Sequence, residues 1–314
     1  MESKKRILIL INQRTSGADR NWYFFHDKVT ESIGPDSNVE VTMGDMSQLS
    51  LELSAGDSKV CDQNAGWSLG DFDLVVFRFI RREHAVAGAC ALFLQRHNIP
   101  YIDTQIKALP YSKFIAQAIR QNAGMTGIPS FYAKPPIIRR TIEEDKLPFG
   151  YPLIIKDNNG RKGRLNFIAY TKDEALKIID ENIDVDFIIQ AFIPNKGDYR
   201  VLVIGGEPKL AIYRQASGES HLNNTSQGAT SEVMPLESIP EVAMADVVLS
   251  AKLENLQIAG VDLMFDSETG QHYILEVNSS PQLATGAVTD LKLKAYTDYL
   301  VELANGRAVD WLFS

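Results

Sequence analysis

The stretch GVDLMFDSETGQHYILEVNSSP, residues 260–281, decides how this chain is read. Two apolar segments flank the polar turn DSETGQ. A turn centred near Thr269 pairs the flanks as antiparallel strands and sets Asp262 directly across from Glu276. Side chains alternate along a strand, so Asn278 shares the face of Glu276. Two carboxylates and an amide oxygen then converge, flanked by apolar Val261, Leu263, Leu275 and Val277. Like charges directly opposite each other are destabilising. A hard cation removes that penalty, and magnesium takes oxygen ligands while keeping places for water and phosphate; manganese is an alternative. Either carboxylate alone would fit a hairpin whose polar face meets solvent, and a bulge would shift the register and break the facing geometry.

Outward from the hairpin, the pattern toward the N-terminus is one of alternating strands and helices. RILILI is a continuous apolar run of the kind found in buried parallel strands. Trp22, Phe25, Val29 and Ile33 recur at helical spacing, VEVTM and DLVVFRF are strands, and Val86, Cys90, Phe93 and His97 share a helix face before the short strand in NIPYID. That order predicts an open βαβ-type sheet. Residues 47–70 are polar and read as a loop. A helix is predicted over 112–122, after which Pro129 and the Pro135–Pro136 pair interrupt helix formation. PLIIK and LNFIAY are strands around a glycine turn, a helix covers 172–182, and DFIIQAFI is another strand. YRVLVIGGEPKLAIYR reads as strand, Gly-Gly turn, strand. Helices over 240–256 and 290–304 bracket the opening hairpin.

A second site signal lies in PLIIKDNNGRKGRLNFIAY. Lys156 leaves a buried strand beside a turn in which Gly160 and Gly163 are flanked by Arg161, Lys162 and Arg164. Glycines let the backbone approach closely, and amide N–H groups and cations can meet phosphate oxygens. A basic turn between strands is more often simply solvated. Neither the GxxxxGK[ST] phosphate loop nor a GxGxxG dinucleotide fingerprint is present.

The 314 residues fit two domains, or one enzyme body of several lobes, and the 45% hydrophobic share supports a sizeable core. A formal net charge of −8 argues against a sequence-independent nucleic-acid binder. Two cysteines, Cys61 and Cys90, without a CxxC, give no disulfide framework or zinc site. The apolar part of MESKKRILILINQ is too short for a secretory signal, and no run approaches a membrane span, so a soluble cytoplasmic protein is expected.

Lys156 with its glycine turn, FIIQAFI, GDYRVLVIGG, HLNNTSQGA, AGVDLMF and ILEVNSSP occur in one order. That order resembles the ATP-grasp superfamily, most closely its RimK-like peptide and amino-acid ligases, from about Ile106 to the end. The EVNSSP segment with the upstream AGVD is the specific part. The resemblance implies an α/β chain with α+β lobes: an ATP-grasp fold preceded by an open, mainly parallel βαβ domain. It implies units at 1–106, 107–189 and 190–314, the last carrying the metal. It also implies that ATP phosphorylates a carboxylate and that an amine attacks the acylphosphate, giving an amide, ADP and phosphate. Magnesium on Asp262, Glu276 and Asn278 would bridge the β- and γ-phosphates.

By the same resemblance Lys156 contacts the α/β-phosphates, Lys113 is a second nucleotide-contacting lysine, and Gly160 to Gly163 close over the phosphates. Gln190, Ala191, Phe192 and Ile193 bind adenine through backbone groups, and Asp198 contacts the ribose. Arg200 and Arg214 lie near the reacting phosphate and the acyl substrate, while His221 and Asn223 close on the γ-phosphate. Two departures stand out: Ala191 where an acidic residue is usual, and His221 where a cation is usual, which makes that contact dependent on pH. The turn is also poorer in glycine and richer in cations than usual. Two alternatives stay open: an ATP-grasp kinase that stops at a phosphorylated product, and a non-catalytic nucleotide-binding scaffold. Amine-dependent phosphate release separates the ligase from both. Partners are a small-molecule or peptide carboxylate and amine, neither nucleic acid nor membrane, with self-association common in the group.

Overall fold

The computed structural model describes residues 4–11, 21–54, 57–62, 64–80, 84–103, 112–133, 135–160, 165–215 and 230–307. Its N-terminal part holds β1 (Lys5–Ile11), α1 (Trp22–Ile33), β2 (Val39–Asp45), β3 (Leu49–Ser54), β4 (Asp57–Asp62), β5 (Trp67–Ser68), β6 (Leu74–Phe77), α2 (His84–Arg96) and β7 (Tyr101–Ile102). The order β2-β1-β6-β7 is parallel throughout. Ile7 to Leu10 are inaccessible to solvent, as a parallel strand covered on both faces requires. α1 begins at Asn21, whose side chain accepts from Phe24 N–H, and ends at Gly34 with φ +82°.

The loop expected over 47–70 is instead a small antiparallel sheet, β3-β4-β5. Its polar composition hides a period-two pattern in which Leu49, Leu51 and Leu53 alternate with Ser50, Glu52 and Ser54. Val60 and Trp67 join Leu8, Leu10 and Leu94 in one core, so this sheet helps cover a face of the parallel one.

The middle of the chain holds α3 (Lys113–Asn122), β8 (Ser130–Tyr132), α4 (Pro135–Glu143), β9 (Leu153–Asp157), β10 (Asn166–Ala169), α5 (Lys172–Glu181) and β11 (Phe187–Ala191). The antiparallel sheet runs β10-β9-β11-β8. Ile138, Ile142, Ala175 and Ile179 from its two later helices pack on Leu153, Ile155 and Ile189. The Pro135–Pro136 pair, expected to interrupt helix formation, opens α4. Proline is tolerated in a first turn, because the N–H it lacks has no partner there anyway.

The last part holds β12 (Asp198–Ile204), β13 (Glu207–Gln215), β14 (Thr230–Met234), α6 (Glu241–Leu253), β15 (Ile258–Phe265), β16 (His272–Asn278) and α7 (Thr289–Ala304). Its antiparallel sheet runs β14-β13-β12-β15-β16. Ala243, Val247 and Ala251 of α6 pack against Val201, Val261 and Val277 on one face. From α7, Leu293, Tyr296, Leu300 and Leu303 share a core with Ile7, Ile9 and Phe25 of the N-terminal part and Leu202 and Ile258 of this sheet. The C-terminal helix thus joins the first sheet to the last. No helix among the described residues is long and apolar enough to cross a membrane.

Candidate functional site

The hairpin forms in the expected register. Asp262 lies opposite Glu276, and Asn278 opposite Gly260. A bulge does occur, but between Asp262 and Leu263 on the turn side, so the acidic pair keeps its facing geometry. Gly260 keeps the floor low: a Cβ there would lie 3.1 Å from Pro281 Cβ and 3.7 Å from Arg200 Cδ. Among the described residues no three His, Cys, Asp or Glu side chains group to hold a metal. The candidate donors are two carboxylates and one amide.

The neighbouring strands extend the acidic pair into a charge row. Arg200 lies opposite Asp262 across β12 and β15, and Asp198 lies opposite Arg214 across β12 and β13. The Arg200 guanidinium grips both Asp262 oxygens, Nε to Oδ1 and Nη2 to Oδ2, each at 2.7 Å. Arg214 donates from Nε to Asp198 Oδ1 at 2.6 Å and places Nη2 3.1 Å from Asp262 Oδ2. Arg214, Asp198 and Asp262 are buried, while the Arg200 side chain keeps 27% of its surface. Burial works to raise the Asp262 carboxyl, but Arg200 and Arg214 outweigh it and hold it below the usual range. Asp198 goes the other way: burial pushes it up to about 6, against the pull of Arg214. The arginines are therefore committed to the carboxylates beside them, and Asp198, expected to contact a ribose, has its Oδ1 engaged by Arg214.

Lys156 leaves β9 half-buried, with its ammonium desolvated. Burial lowers it to about 8, Glu276 pulls it up, and Lys113 and Arg120 push it down. Lys156 and the hairpin carboxylate thus act on each other between two sheets. Lys113 opens α3 and donates to the carbonyl of Gly160. Asn158, buried at the end of β9, fixes that helix start: its carbonyl takes Lys113 N–H and its Oδ1 takes Phe114 N–H, each at 3.0 Å. Gly160 is required because a Cβ would sit 2.8 Å from Asp157. Arg161, Lys162, Gly163, His221 and Asn223 lie outside the described residues.

β11 is a central strand, so its backbone is largely consumed. Ala191 N–H bonds Pro129 O at 2.9 Å, Phe192 N–H bonds Pro152 O at 3.2 Å, and Ile193 O accepts from Asn195. The Gln190 side chain turns inward, donating at 2.7 Å to both Gln117 Oε1 and Ser130 Oγ. Sequence reasoning missed that buried amide network. It also missed Gly260 and the buried pair Arg120–Glu254, 2.7 Å apart, which ties α3 to the end of α6. The signal for Arg120 was a cation on the inward face of a helix with Ala116 and Ile119.

A parallel sheet followed by two larger antiparallel sheets, with a lysine on one and an acidic hairpin on the other, is the frame of an ATP-grasp protein, as the matching domain family bears out. The chain belongs to the RimK-like ATP-grasp family, whose domain matches residues 129–297, more than half of its length. A probable alpha-L-glutamate ligase of Psychromonas ingrahamii is 35% identical over 157 residues, 49% of each chain. Another, of Syntrophotalea carbinolica, is 34% identical over 138 residues, 43% of this chain and 44% of that one. The matched part thus spans about half the length of these curated relatives. The ATP-grasp ligase PsnB, complexed with a phosphomimetic variant of minimal precursor, Mg and ADP, shares the fold with a TM-score of 0.69 at 16% identity, over 96% of this chain and 100% of that one. The D-alanine–D-alanine ligase of Bacillus anthracis complexed with ATP gives 0.65 at 16% identity, over 96% and 97%.

Proposed function

We propose that this chain is an ATP-dependent ligase that joins a carboxylate to an amine. The row Arg200–Asp262–Glu276 on one sheet, with Lys156 in electrostatic reach, carries the reading. It sets hard oxygen donors and cations around one space, and phosphoryl transfer depends chiefly on placement and charge. In the proposed organisation residues 1–106 help hold the acid and amine, 107–189 cover the nucleotide, and 190–314 carry the metal-binding hairpin.

The donor set fits magnesium, the ion named with PsnB. Among the described residues Asp262 Oδ1 accepts only from Arg200 Nε, which leaves it a lone pair. The Glu276 carboxylate makes no hydrogen bond or close ion pair among the described residues and acts on Lys156 only through space. Asn278 turns Nδ2 toward Gly260 O at 3.3 Å, which leaves its amide oxygen for a cation. A bound magnesium would neutralise phosphate oxygens; manganese would serve by the same donors. Lys156 and Lys113 contact the nucleotide phosphates together with Gly160, Arg161, Lys162 and Gly163, and His221 and Asn223 close on the γ-phosphate. Since the N–H groups of Ala191 and Phe192 are engaged and Gln190 pairs with Ile154, adenine is read by the carbonyls of Ala191 and Phe192, which face prolines without an N–H, and by Ile193 N–H, and Asp198 marks the ribose side.

A carboxylate oxygen of the acid attacks the γ-phosphorus, and the bond to the ADP oxygen breaks. The amine nitrogen then attacks the acyl carbon, phosphate leaves, and the amine's proton passes to phosphate or solvent. Arg200, the exposed member of the cluster, meets the charge that develops on the transferred group. Arg214 acts through Asp262 as a positioning residue. Phosphate release is to be measured with paired acids and amines, glutamate first, with mass spectrometry of the product. Release that requires both partners and yields an amide is expected. ADP formation with a phosphorylated product and no amine requirement would replace the ligase with a kinase.

A further inference from the structure

The N-terminal sheet ends against the open end of the site hairpin, and two charged side chains make the junction. Both stand at the carboxyl ends of parallel strands, the edge where open α/β sheets gather their functional groups. Asp103 follows β7. Its Oδ1 accepts from Gln257 N–H at 2.7 Å and Ile258 N–H at 3.2 Å, where β15 begins. Arg78 follows β6. Its Nη2 donates to Pro281 O at 3.1 Å, just beyond β16, and the next residue, Phe79, donates its N–H to Ser280 Oγ at 3.4 Å. One sheet edge therefore holds the hairpin where it enters and where it leaves. Asp262 lies four residues past the first grip, and Asn278 three residues before the second.

Neither side chain is placed as stability alone would place it. Arg78 is 2% exposed and always charged. Among the described residues no carboxylate lies within ion-pair distance of it. It is surrounded by the rings of Phe25, Phe79 and Tyr296, with its carbon Cζ 5.0–5.6 Å from their centroids. Among the described residues its Nε and the hydroxyl of Tyr296 have no partner in good hydrogen-bonding geometry, although the guanidinium and that hydroxyl lie close enough to act on each other. Asp103 is 8% exposed and feels Arg78 only through space. Burying the Arg78 charge without a paired carboxylate is expensive, and burial pushes the Asp103 carboxyl up to about 7. What both have in common is the backbone they hold.

We propose that Arg78 and Asp103 are positioning residues that clamp the β15–β16 hairpin and set the spacing of Asp262, Glu276 and Asn278 for the metal. This rests on the metal-hairpin reading given above. Strand β15 rises about 3.3 Å per residue, so the Asp103 grip acts on Asp262 through roughly 13 Å of paired strand. The clamp also makes the N-terminal unit part of the metal site without touching it. A change of its orientation reaches the carboxylates through two hydrogen-bonded handles.

The test uses the full chain with ADP as probe, titrated by calorimetry with and without Mg2+, and folding checked by circular dichroism. Arg78→Met keeps the aliphatic stem between the rings but loses the donor. Asp103→Ala loses the acceptor, whereas Asp103→Asn keeps an oxygen in place. The first two are expected to weaken Mg2+-dependent ADP binding by about 10-fold or more, in the range seen when groups that orient metal ligands are removed. They leave metal-free ADP binding unchanged, and Asp103→Asn stays near wild type. Hydrogen exchange in β15 and β16 should quicken in the same two variants. Folded Arg78→Met and Asp103→Ala proteins with wild-type Mg2+ dependence overturn the clamp, as does an Asp103→Asn protein as impaired as Asp103→Ala. Where Asp103→Ala does not fold, Arg78→Met carries the comparison. Equal Mg2+ dependence in wild type and Glu276→Gln instead overturns the metal-hairpin reading, and the clamp with it.

Discussion

Glu276 and Asp262 face each other across one hairpin, yet their replacement should have unequal costs. In Asp262→Asn, two guanidiniums lose the charge they share. Removing one partner of a buried ion pair costs about 3–5 kcal/mol. The lower end applies here, because Arg214 keeps Asp198 at 2.6 Å and the partly exposed Arg200 can turn to water. At roughly 2 °C per kcal/mol for a chain of this size, the melting temperature should fall by about 6 °C. Glu276→Gln leaves no bonded partner behind and removes a like charge opposite Asp262. Its effect on stability should stay within about 0.5 kcal/mol, because relief of the repulsion from Asp262 is offset by the lost attraction to Lys156. Ligand stabilisation shows the reverse order of importance. With ligand at about 100 times its dissociation constant the wild type gains roughly 2.7 kcal/mol, and a 10-fold loss of affinity halves that gain. Thermal melts with and without Mg2+ and ADP measure both quantities. The reasoning fails if apo Glu276→Gln melts as low as Asp262→Asn, or if it keeps the full Mg2+-dependent shift.

Two further outcomes follow from the same site. Lys156, lowered to about 8, loses its charge as pH rises through that value, so ADP affinity of the free protein should fall above about pH 8 and stay level in Lys156→Arg, as titration calorimetry across pH 7–9.5 would show. Because its folded value lies below its unfolded one, the unfolded chain binds the extra proton between about 8 and 10.5, and this group's contribution to stability rises with pH across that window. Gly260→Ala forces Pro281 or Arg200 to move, at a cost of about 1–3 kcal/mol in melting experiments and with weaker Mg2+ dependence; an unchanged melting temperature would show that the close approach is easily relieved.

Much of this architecture is legible in the residues because burial leaves a periodic mark. RILILI could be only a covered strand, and the polar positions of the hairpin fall on alternate residues around a turn of fixed length. The charge row is not legible in that way. Nothing in DYRVLVI says that Arg200 will spend its fork on Asp262, since cross-strand register between β12 and β15 spans many residues of intervening chain. Arg78 had a local signal, a cation closing the apolar run LVVF, but its meaning depends on Pro281, far along the chain. Residues 47–70 misled because their mean polarity masked the alternation of Leu49, Leu51 and Leu53. The proline pair misled because position within a helix, not proline itself, decides whether the helix stops.

The bulge beside Asp262 has a consequence for how the hairpin tolerates change. Asp262 pairs with Glu276 and Leu263 with Ile274, which leaves Leu275 as the extra residue. Val277 and Ile274 therefore pack on the same core although they are three apart, a spacing no regular strand allows. A saturation scan of β16 should show two phases of alternation, with the slip at Leu275. On the Asn278 side Val277 tolerates no polar replacement; on the turn side Ile274 does not. Deleting Leu275 would remove the bulge, bring Ile274 directly after Glu276 in the ladder and leave both the acidic pair and the turn where they are.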